Sequence, residues 1–88
     1  GGSKNLDITL YYAKWCGACK NFKPTWEKIK KVYKDNEKIK LYDYEESVMT
    51  NDQLNQVKYY PTILFNNEIY EKSRDFDTFS KEIEKNIN

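Results

Sequence analysis

The sequence predicts one small domain of the α/β class, because strand-like apolar runs alternate along its 88 residues with segments of helical spacing. Three observations carry this prediction. An apolar run ends just before a pair of cysteines, a helical pattern follows the pair, and a second strand pattern follows that helix. A strand, a helix and a strand in this order form a right-handed parallel crossover. With a short helix, a hairpin and a last helix, the predicted element order is βαβαββα.

The first strand is predicted over residues 6–13, where four consecutive residues from Leu10 are apolar or aromatic, as in a strand covered on both faces. The first helix is predicted over residues 16–34. Its apolar face follows spacings of four, three and four, and consists of Phe22, Trp26, Ile29 and Tyr33. Pro24 cannot donate to the helical ladder, so we expect a kink there; the alternative is that the helix restarts at this proline.

The second strand is predicted over residues 38–44, where two tyrosines break the alternation and indicate an exposed or edge position. A short helix follows over residues 47–56, with Ser47 as its predicted N-cap. The side chains expected to face the core from this helix are Val48, Met49 and Leu54. This short helix is thus predicted to connect the second strand to the third.

A buried strand is predicted at residues 63–65, and Asn66-Asn67 is a hairpin signal that leads into a short return strand. Asp75 or Asp77 is the predicted N-cap of a last helix, whose apolar face consists of Phe76, Phe79, Ile83 and Ile87. Residues 1–3, Gly-Gly-Ser, look like the remnant of an expression tag, so the domain is predicted to cover residues 4–88.

The charge balance argues against nucleic acid or an anionic membrane as the main partner, because 15 basic and 14 acidic side chains leave a net charge of +1. No run is long or apolar enough to predict a transmembrane helix. The sequence has no histidine, which removes the usual general base and the usual nitrogen ligand for metals. We therefore expect no metal site. The chain is also expected to be a monomer.

The two cysteines, Cys16 and Cys19, lie where the first strand delivers the chain to the first turn of a helix. Residues three apart on a helix have Cβ atoms about 5–6 Å apart. A disulfide needs about 3.5–4.5 Å. A small adjustment therefore lets this turn exist as a dithiol or a disulfide. One pair is too few for a small secreted scaffold, which favours redox chemistry. The cysteine count favours a cytoplasmic location, although periplasmic and lumenal oxidoreductases share the motif. Half of a zinc or iron–sulfur site is the alternative, and it needs ligands from another chain.

The two thiols are expected to differ, because unpaired N–H groups at a helix N-terminus favour a thiolate at Cys16. Cys19 lies one turn further in and should be the less exposed thiol. Cys16 would attack an outside disulfide, and Cys19 would then resolve the mixed disulfide. Lys14 and Lys20 flank the motif, and their charges either lower a thiol pKa or serve ordinary solubility.

Three features together resemble the thioredoxin superfamily: WCGACK after an apolar strand, Pro24 eight residues after the first cysteine, and Tyr60-Pro61-Thr62 before an apolar strand and an asparagine-containing hairpin. The resemblance spans nearly the whole chain. It implies a thioredoxin fold of minimal, glutaredoxin-sized form. The expected four-stranded mixed sheet has the order 2-1-3-4, with the first and last of three helices on one face and the middle helix on the other.

The resemblance also implies roles for the site residues. Cys16 matches the family's nucleophile and Cys19 its resolving cysteine. Pro61 matches the cis-proline that faces the two sulfurs, and the backbone of Tyr60 is expected to pair with an extended substrate segment. The residues expected to contact substrate are Trp15, Gly17, Ala18, Tyr60 and Pro61.

The chain departs from the family pattern at several positions. The family's buried acid, which is thought to accept a proton from the resolving thiol, falls on Leu10 here. Water or a carboxylate such as Asp43 are the candidates to replace it. Gly-Ala separates the cysteines, so the reduction potential is open within a family range of roughly −270 to −120 mV. Ser73-Arg74 stands where glycines often precede the last helix, so we expect weak or absent glutathione specificity.

The expected function is a dithiol–disulfide oxidoreductase that reduces or exchanges protein disulfides, with no cofactor beyond its own cysteine pair. An external donor, either a recycling reductase or glutathione, would restore the dithiol. One alternative is a glutaredoxin-like enzyme that uses glutathione through Cys16. Another is a module that binds extended peptides on a Trp15–Tyr60 surface and keeps a structural disulfide.

Overall fold

The computed structural model describes residues 4–88, so the predicted tag remnant at residues 1–3 lies outside the described residues. The described chain forms a four-stranded mixed sheet in the order β2-β1-β3-β4, with three α-helices. The elements are β1 Leu6–Tyr12, α1 Gly17–Tyr33, β2 Ile39–Glu45, α2 Asn51–Gln56, β3 Thr62–Phe65, β4 Glu68–Ile69 and α3 Phe76–Ile87. β1 pairs parallel with β2 and antiparallel with β3, and β4 pairs antiparallel with β3. The predicted fold class and strand order are confirmed.

The main core lies where α1 and α3 pack on the same face of the sheet. Its fully or nearly buried side chains are Leu6, Ile8, Leu10, Phe22, Trp26, Ile29, Tyr33, Ile39, Ile63, Phe79, Ile83 and Ile87. Successive strand residues point to opposite faces. Tyr11 and Leu64 therefore cover the other face, where they cluster with Met49. None of the helices in residues 4–88 combines the length and the apolar surface that a bilayer crossing demands.

Helix α1 runs without a break through Pro24, so the alternative in which the helix restarts there is wrong. The helix begins at Gly17, one residue later than predicted, because Cys16 has extended backbone angles and acts as the N-cap. This position leaves the sulfur of Cys16 at the N-terminus of the helix, where the first backbone N–H groups have no partner within the helix.

The short middle helix begins later than predicted, and Ser47 is not its N-cap. The carboxylate of Glu45 accepts the Ser47 N–H at 3.2 Å, and the chain forms one 3-10 turn, Glu46–Val48, instead. Thr50 then caps α2 through a reciprocal pair of hydrogen bonds with Gln53, which satisfies two otherwise unpaired donors. Of the three side chains predicted to face the core, Met49 does so, whereas Val48 and Leu54 are exposed.

The second half of the chain follows the prediction closely. Asn66 has a φ of 57°, the left-handed conformation that an asparagine hairpin turn requires. Asp75 is the N-cap of α3 and accepts the Thr78 N–H at 3.0 Å. The hydroxyl of Ser73 and this N–H lower the pKa of Asp75 to about 2. The predicted edge position of the second strand is confirmed, because β2 lies at one end of the sheet.

Candidate active site

The two cysteines lie together at the junction of β1 and α1. The N–H of Cys16 donates to the carbonyl oxygen of Ala13 at 3.1 Å, which turns the chain from the strand into the helix. The N–H of Cys19 then donates to Sγ of Cys16 at 3.1 Å. Both side chains are free thiols, and they form a small buried cluster with Ala13. The Cys19 N–H and the N-terminus of α1 therefore both point at Sγ of Cys16.

The loop before β3 forms the opposite wall of this site. The peptide bond between Tyr60 and Pro61 is cis, as the family resemblance implies. The Cys16 thiol donates to the carbonyl oxygen of Tyr60 at 3.4 Å. Thr62 is 2% exposed, and its hydroxyl donates to the carbonyl oxygen of Tyr59, which fixes the turn that leads into the proline. Antiparallel pairing of β3 with β1 brings this loop to the cysteines.

Trp15 forms an exposed aromatic surface beside the thiols. Its side chain is 68% exposed, and its ring stands edge-on to Tyr60 at a centroid distance of 5.7 Å. The indole Nε1–H donates to Oε1 of Glu46 at 2.9 Å. Tyr59, which precedes Tyr60 in the chain, is 49% exposed. No motif in the sequence points to Glu46, which lies 31 residues from Trp15 in the chain.

The other predicted site residues lie around the same junction. Gly17 is exposed, and an added Cβ there would meet open space. Ala18 is half-buried against the cysteine cluster. Lys14 lies close enough to Glu45 for its charge to lower that carboxyl's pKa, after the larger effect of the hydrogen bond from Ser47. Lys20 lines a pocket beside Cys19.

Burial does not distinguish the two cysteines, which are 6% and 8% exposed, so the expectation that Cys19 is the less exposed thiol is wrong. The environment of Cys19 does affect its own ionisation. The pKa of Cys19 is raised to about 11, mainly by burial and next by its hydrogen bond with Cys16. The charge of Arg74, the single arginine of the chain, partly offsets this shift from the loop before α3. Cys19 is therefore a protonated thiol at neutral pH.

This shift predicts how Cys19 reacts with iodoacetamide in a Cys16→Ser variant, where serine keeps an N-cap oxygen and Cys19 is the only thiol. Burial, the largest cause of the raised pKa of Cys19, is kept in this variant, whereas the raising effects of Cys16 are lost. Alkylation, followed by mass spectrometry, should therefore still become about tenfold faster per pH unit beyond about pH 9, where an ordinary thiol levels off. A plateau near pH 8 or 9 would contradict the raised pKa.

Metal binding has no obvious set of ligands in this site. Among the residues that the structure describes, no group of three or more cysteine, aspartate or glutamate side chains is arranged to hold an ion. The two sulfurs alone are fewer than the four ligands of an ordinary structural zinc site.

Comparison with known proteins agrees with this geometry. The thioredoxin family model matches residues 3–88. A protein disulfide-isomerase of Schizosaccharomyces pombe is 31% identical over 86 residues, which cover 89% of this chain and 24% of that protein. Protein disulfide-isomerase A2 of Mus musculus is 33% identical over 86 residues, which cover 90% of this chain and 16% of that protein.

Among solved structures, the chain is similar to the first thioredoxin domain of mouse protein disulfide-isomerase A4. The TM-score is 0.71 and the sequence identity 28%, over 93% of this chain and 63% of that one. The chain spans less than a quarter of the length of the two curated relatives, so its likeness to them is that of one domain. The family match, which extends over nearly every residue, shows that this chain belongs to the thioredoxin family.

Proposed function

We propose that the chain is a dithiol–disulfide oxidoreductase that reduces or exchanges disulfides in protein substrates. One observation carries the proposal. Sγ of Cys16 accepts the Cys19 N–H at 3.1 Å and faces the Tyr60 carbonyl at 3.4 Å. The same sulfur is thus held at a helix N-terminus and directed at the loop where an extended substrate would lie. The names of the relatives, protein disulfide-isomerases, support this substrate class.

In the first step, the thiolate of Cys16 attacks one sulfur of a substrate disulfide. A bond forms between Cys16 and that sulfur, the substrate S–S bond breaks, and the electron pair leaves with the second substrate sulfur. The Cys19 N–H and the N-terminus of α1 stabilise the attacking negative charge before the reaction. The product of this step is a mixed disulfide.

In the second step, Cys19 loses its proton and attacks Sγ of Cys16. The Cys16–Cys19 disulfide forms, and the remaining electron pair leaves on the substrate sulfur, which takes up a proton. The substrate gains two electrons, and the cysteine pair loses two. The contact between the Cys19 N–H and Cys16 Sγ keeps the two residues adjacent for this step.

Substrate recognition fits an extended peptide segment. The backbone of Tyr60 lies beside the attacking sulfur, where a strand-like substrate can pair with it. Trp15 and Tyr59 offer exposed aromatic surface next to that backbone, and exposed aromatic side chains are frequent anchors in binding sites. The bond between Trp15 and Glu46 holds the indole in place before substrate arrives.

The experiment is insulin reduction with dithiothreitol as the electron donor. The wild-type chain should accelerate precipitation of the insulin B chain well above dithiothreitol alone, and Cys16→Ser should not. Serine also acts as an N-cap, so a difference in rate between the two proteins reports the loss of the Cys16 sulfur and not the loss of the helix cap. Equal rates for the two proteins would refute the proposed function.

The supply of electrons follows from the same proposal. The cysteine pair holds both electrons, so the protein requires no resident cofactor, and an external electron donor restores the reduced form. A reductase or glutathione fills this role, and the glutaredoxin-like alternative stays a prediction, as do the cytoplasmic location and the monomeric state. A reduction potential below roughly −300 mV would instead favour the peptide-binding module with a structural disulfide.

A further inference from the structure

A pocket of about 260 Å³ opens between α1 and the sheet and joins Cys19 to Asp43 on β2. Its walls are mainly apolar and include Leu10, Phe22 and Trp26. A water molecule occupies ~30 Å³ in the liquid, so the pocket has room for several. The buried thiol is therefore connected to a carboxylate through a space that water can fill.

The register of the sheet explains why this carboxylate reaches the pocket. Leu10 on β1 is paired directly with Asp43 on β2. Paired residues of neighbouring strands point to the same face of a sheet. The side chain of Asp43 thus lies one strand away from Leu10, on the face that carries α1 and Cys19.

Asp43 is held in one orientation. Its Oδ2 accepts the Trp26 Nε1–H at 2.9 Å and a bond from Lys30 Nζ at 3.2 Å. Both hydrogen bonds found for this carboxylate within residues 4–88 end on Oδ2, so Oδ1 is available to a water molecule. The side chain is 33% exposed and lines the pocket, so it lies at the mouth of the pocket, where solvent also reaches it.

The proposed second step, in which Cys19 attacks Cys16, requires a proton acceptor near Cys19. Cys19 attacks as a thiolate, yet burial raises its pKa to about 11, so the proton must leave for the attack to occur at neutral pH. Leu10 cannot accept a proton. An acceptor reached through ordered water lowers the barrier, provided that it lies near the thiol.

We propose that Asp43 accepts the proton of Cys19 through water in the pocket as the mixed disulfide is resolved. This inference rests on the proposed function. The proton passes from Sγ of Cys19 to the Asp43 carboxylate, the Cys16–Cys19 bond forms, and the bond between Cys16 and the substrate sulfur breaks. The departing substrate thiolate then takes up a proton from water or from Asp43. Asp43 on β2 thus supplies the proton acceptor that β1 lacks.

Other ionisable groups face the pocket or Cys19. The cations at the pocket are Lys14, Lys20, Lys23 and Lys30. They have no lone pair to accept a proton, and neither does Arg74, whose charge acts on Cys19 from the loop before α3. Tyr12 lines the pocket and Tyr60 lies near Cys19, but phenol hydroxyls are weak proton acceptors.

Glu27 is the second carboxylate that lines the pocket, and it provides a matched control. It contacts Lys30 at 3.8 Å from the outer side of α1, and its side chain is 57% exposed. Asp43 and Glu27 therefore share a lysine and a pocket, but only Asp43 receives the additional bond from Trp26.

The test uses 5,5′-dithiobis(2-nitrobenzoate) as the disulfide and stopped-flow absorbance as the readout. Attack by reduced Cys16 releases one thionitrobenzoate, and resolution by Cys19 releases a second. The two phases report the two steps separately. Cys19→Ser should release only the first thionitrobenzoate, which assigns the phases.

Asp43→Asn should slow the second phase about tenfold at pH 7 and leave the first phase unchanged; the effect is smaller than that of a base in direct contact because water intervenes. Asparagine still accepts the Trp26 bond through its amide oxygen, so the fold is retained. The deficit should vanish as the pH approaches about 11, where Cys19 ionises without help. Asp43→Glu should retain most of the rate, and Glu27→Gln all of it.

An unchanged second phase in Asp43→Asn would overturn the inference, as would an equal loss in Glu27→Gln. A deficit that is independent of pH would also overturn it, because a merely structural defect does not disappear on ionisation of Cys19. Failure of the proposed function gives a different result, since the wild-type chain itself would then show no second phase and no reduction of insulin.

Discussion

Replacing Cys19 with serine is expected to stop the reaction at the mixed disulfide, with substrate covalently attached to Cys16. Cys16 makes the first bond without the thiol of Cys19, whereas release of substrate needs a second sulfur. A peptide with one disulfide, mixed with reduced Cys19→Ser, should give an adduct on a non-reducing gel that dithiothreitol removes. Multiple-turnover reduction of insulin should fall to near the rate of dithiothreitol alone.

Cys16→Ser is the matched control for this trap, because it removes the other sulfur of the same turn. It should form no adduct, since the remaining thiol is the one whose pKa burial raises. An adduct on Cys16→Ser and none on Cys19→Ser would reverse the assignment of the two roles. Retention of deglutathionylation by Cys19→Ser would favour the glutaredoxin-like alternative.

The fold was predictable because most of its elements carry strong local patterns. The face of Phe22, Trp26, Ile29 and Tyr33 packs into the main core as its spacing predicts. The middle helix was the exception. Its start depends on which of several polar side chains captures a free N–H, and Thr50 with Gln53 outcompetes Ser47. Such competition among capping groups is decided by three-dimensional geometry that spacing alone does not contain.

The site was predictable where one motif supplies neighbouring residues, as at Cys16 and Cys19. It was not predictable where partners come from distant segments. Glu46 bonds Trp15 across 31 residues, and Arg74 acts on Cys19 from the loop before α3. From the sequence, Asp43 is only one of two candidates for the proton acceptor. Its link to Cys19 depends on the register of β1 and β2, which sequence alone leaves open.

Phe79→Ala is expected to destabilise the reduced protein by about 3–5 kcal/mol, the usual cost of removing a buried phenylalanine. Phe79 is fully buried, and its ring contacts three others, at centroid distances of 5.7 Å from Phe22, 5.4 Å from Phe65 and 5.0 Å from Tyr70. Alanine would leave a cavity where α1, α3 and the sheet meet. Urea denaturation followed by tryptophan fluorescence measures the free energy of unfolding.

Val32→Ala is the control for this prediction, because Val32 also lies on a core-packing helix, but its side chain is 55% exposed. Its free energy of unfolding should stay within about 0.5 kcal/mol of the wild-type value. Small domains are stable by only about 5–15 kcal/mol, so Phe79→Ala should remove a large part of the total. A loss below about 1 kcal/mol would show that the ring does not hold α3 against α1 and the sheet. Any Phe79→Ala that remains folded should still reduce insulin, because the ring lies in the core and forms no part of the cysteine cluster.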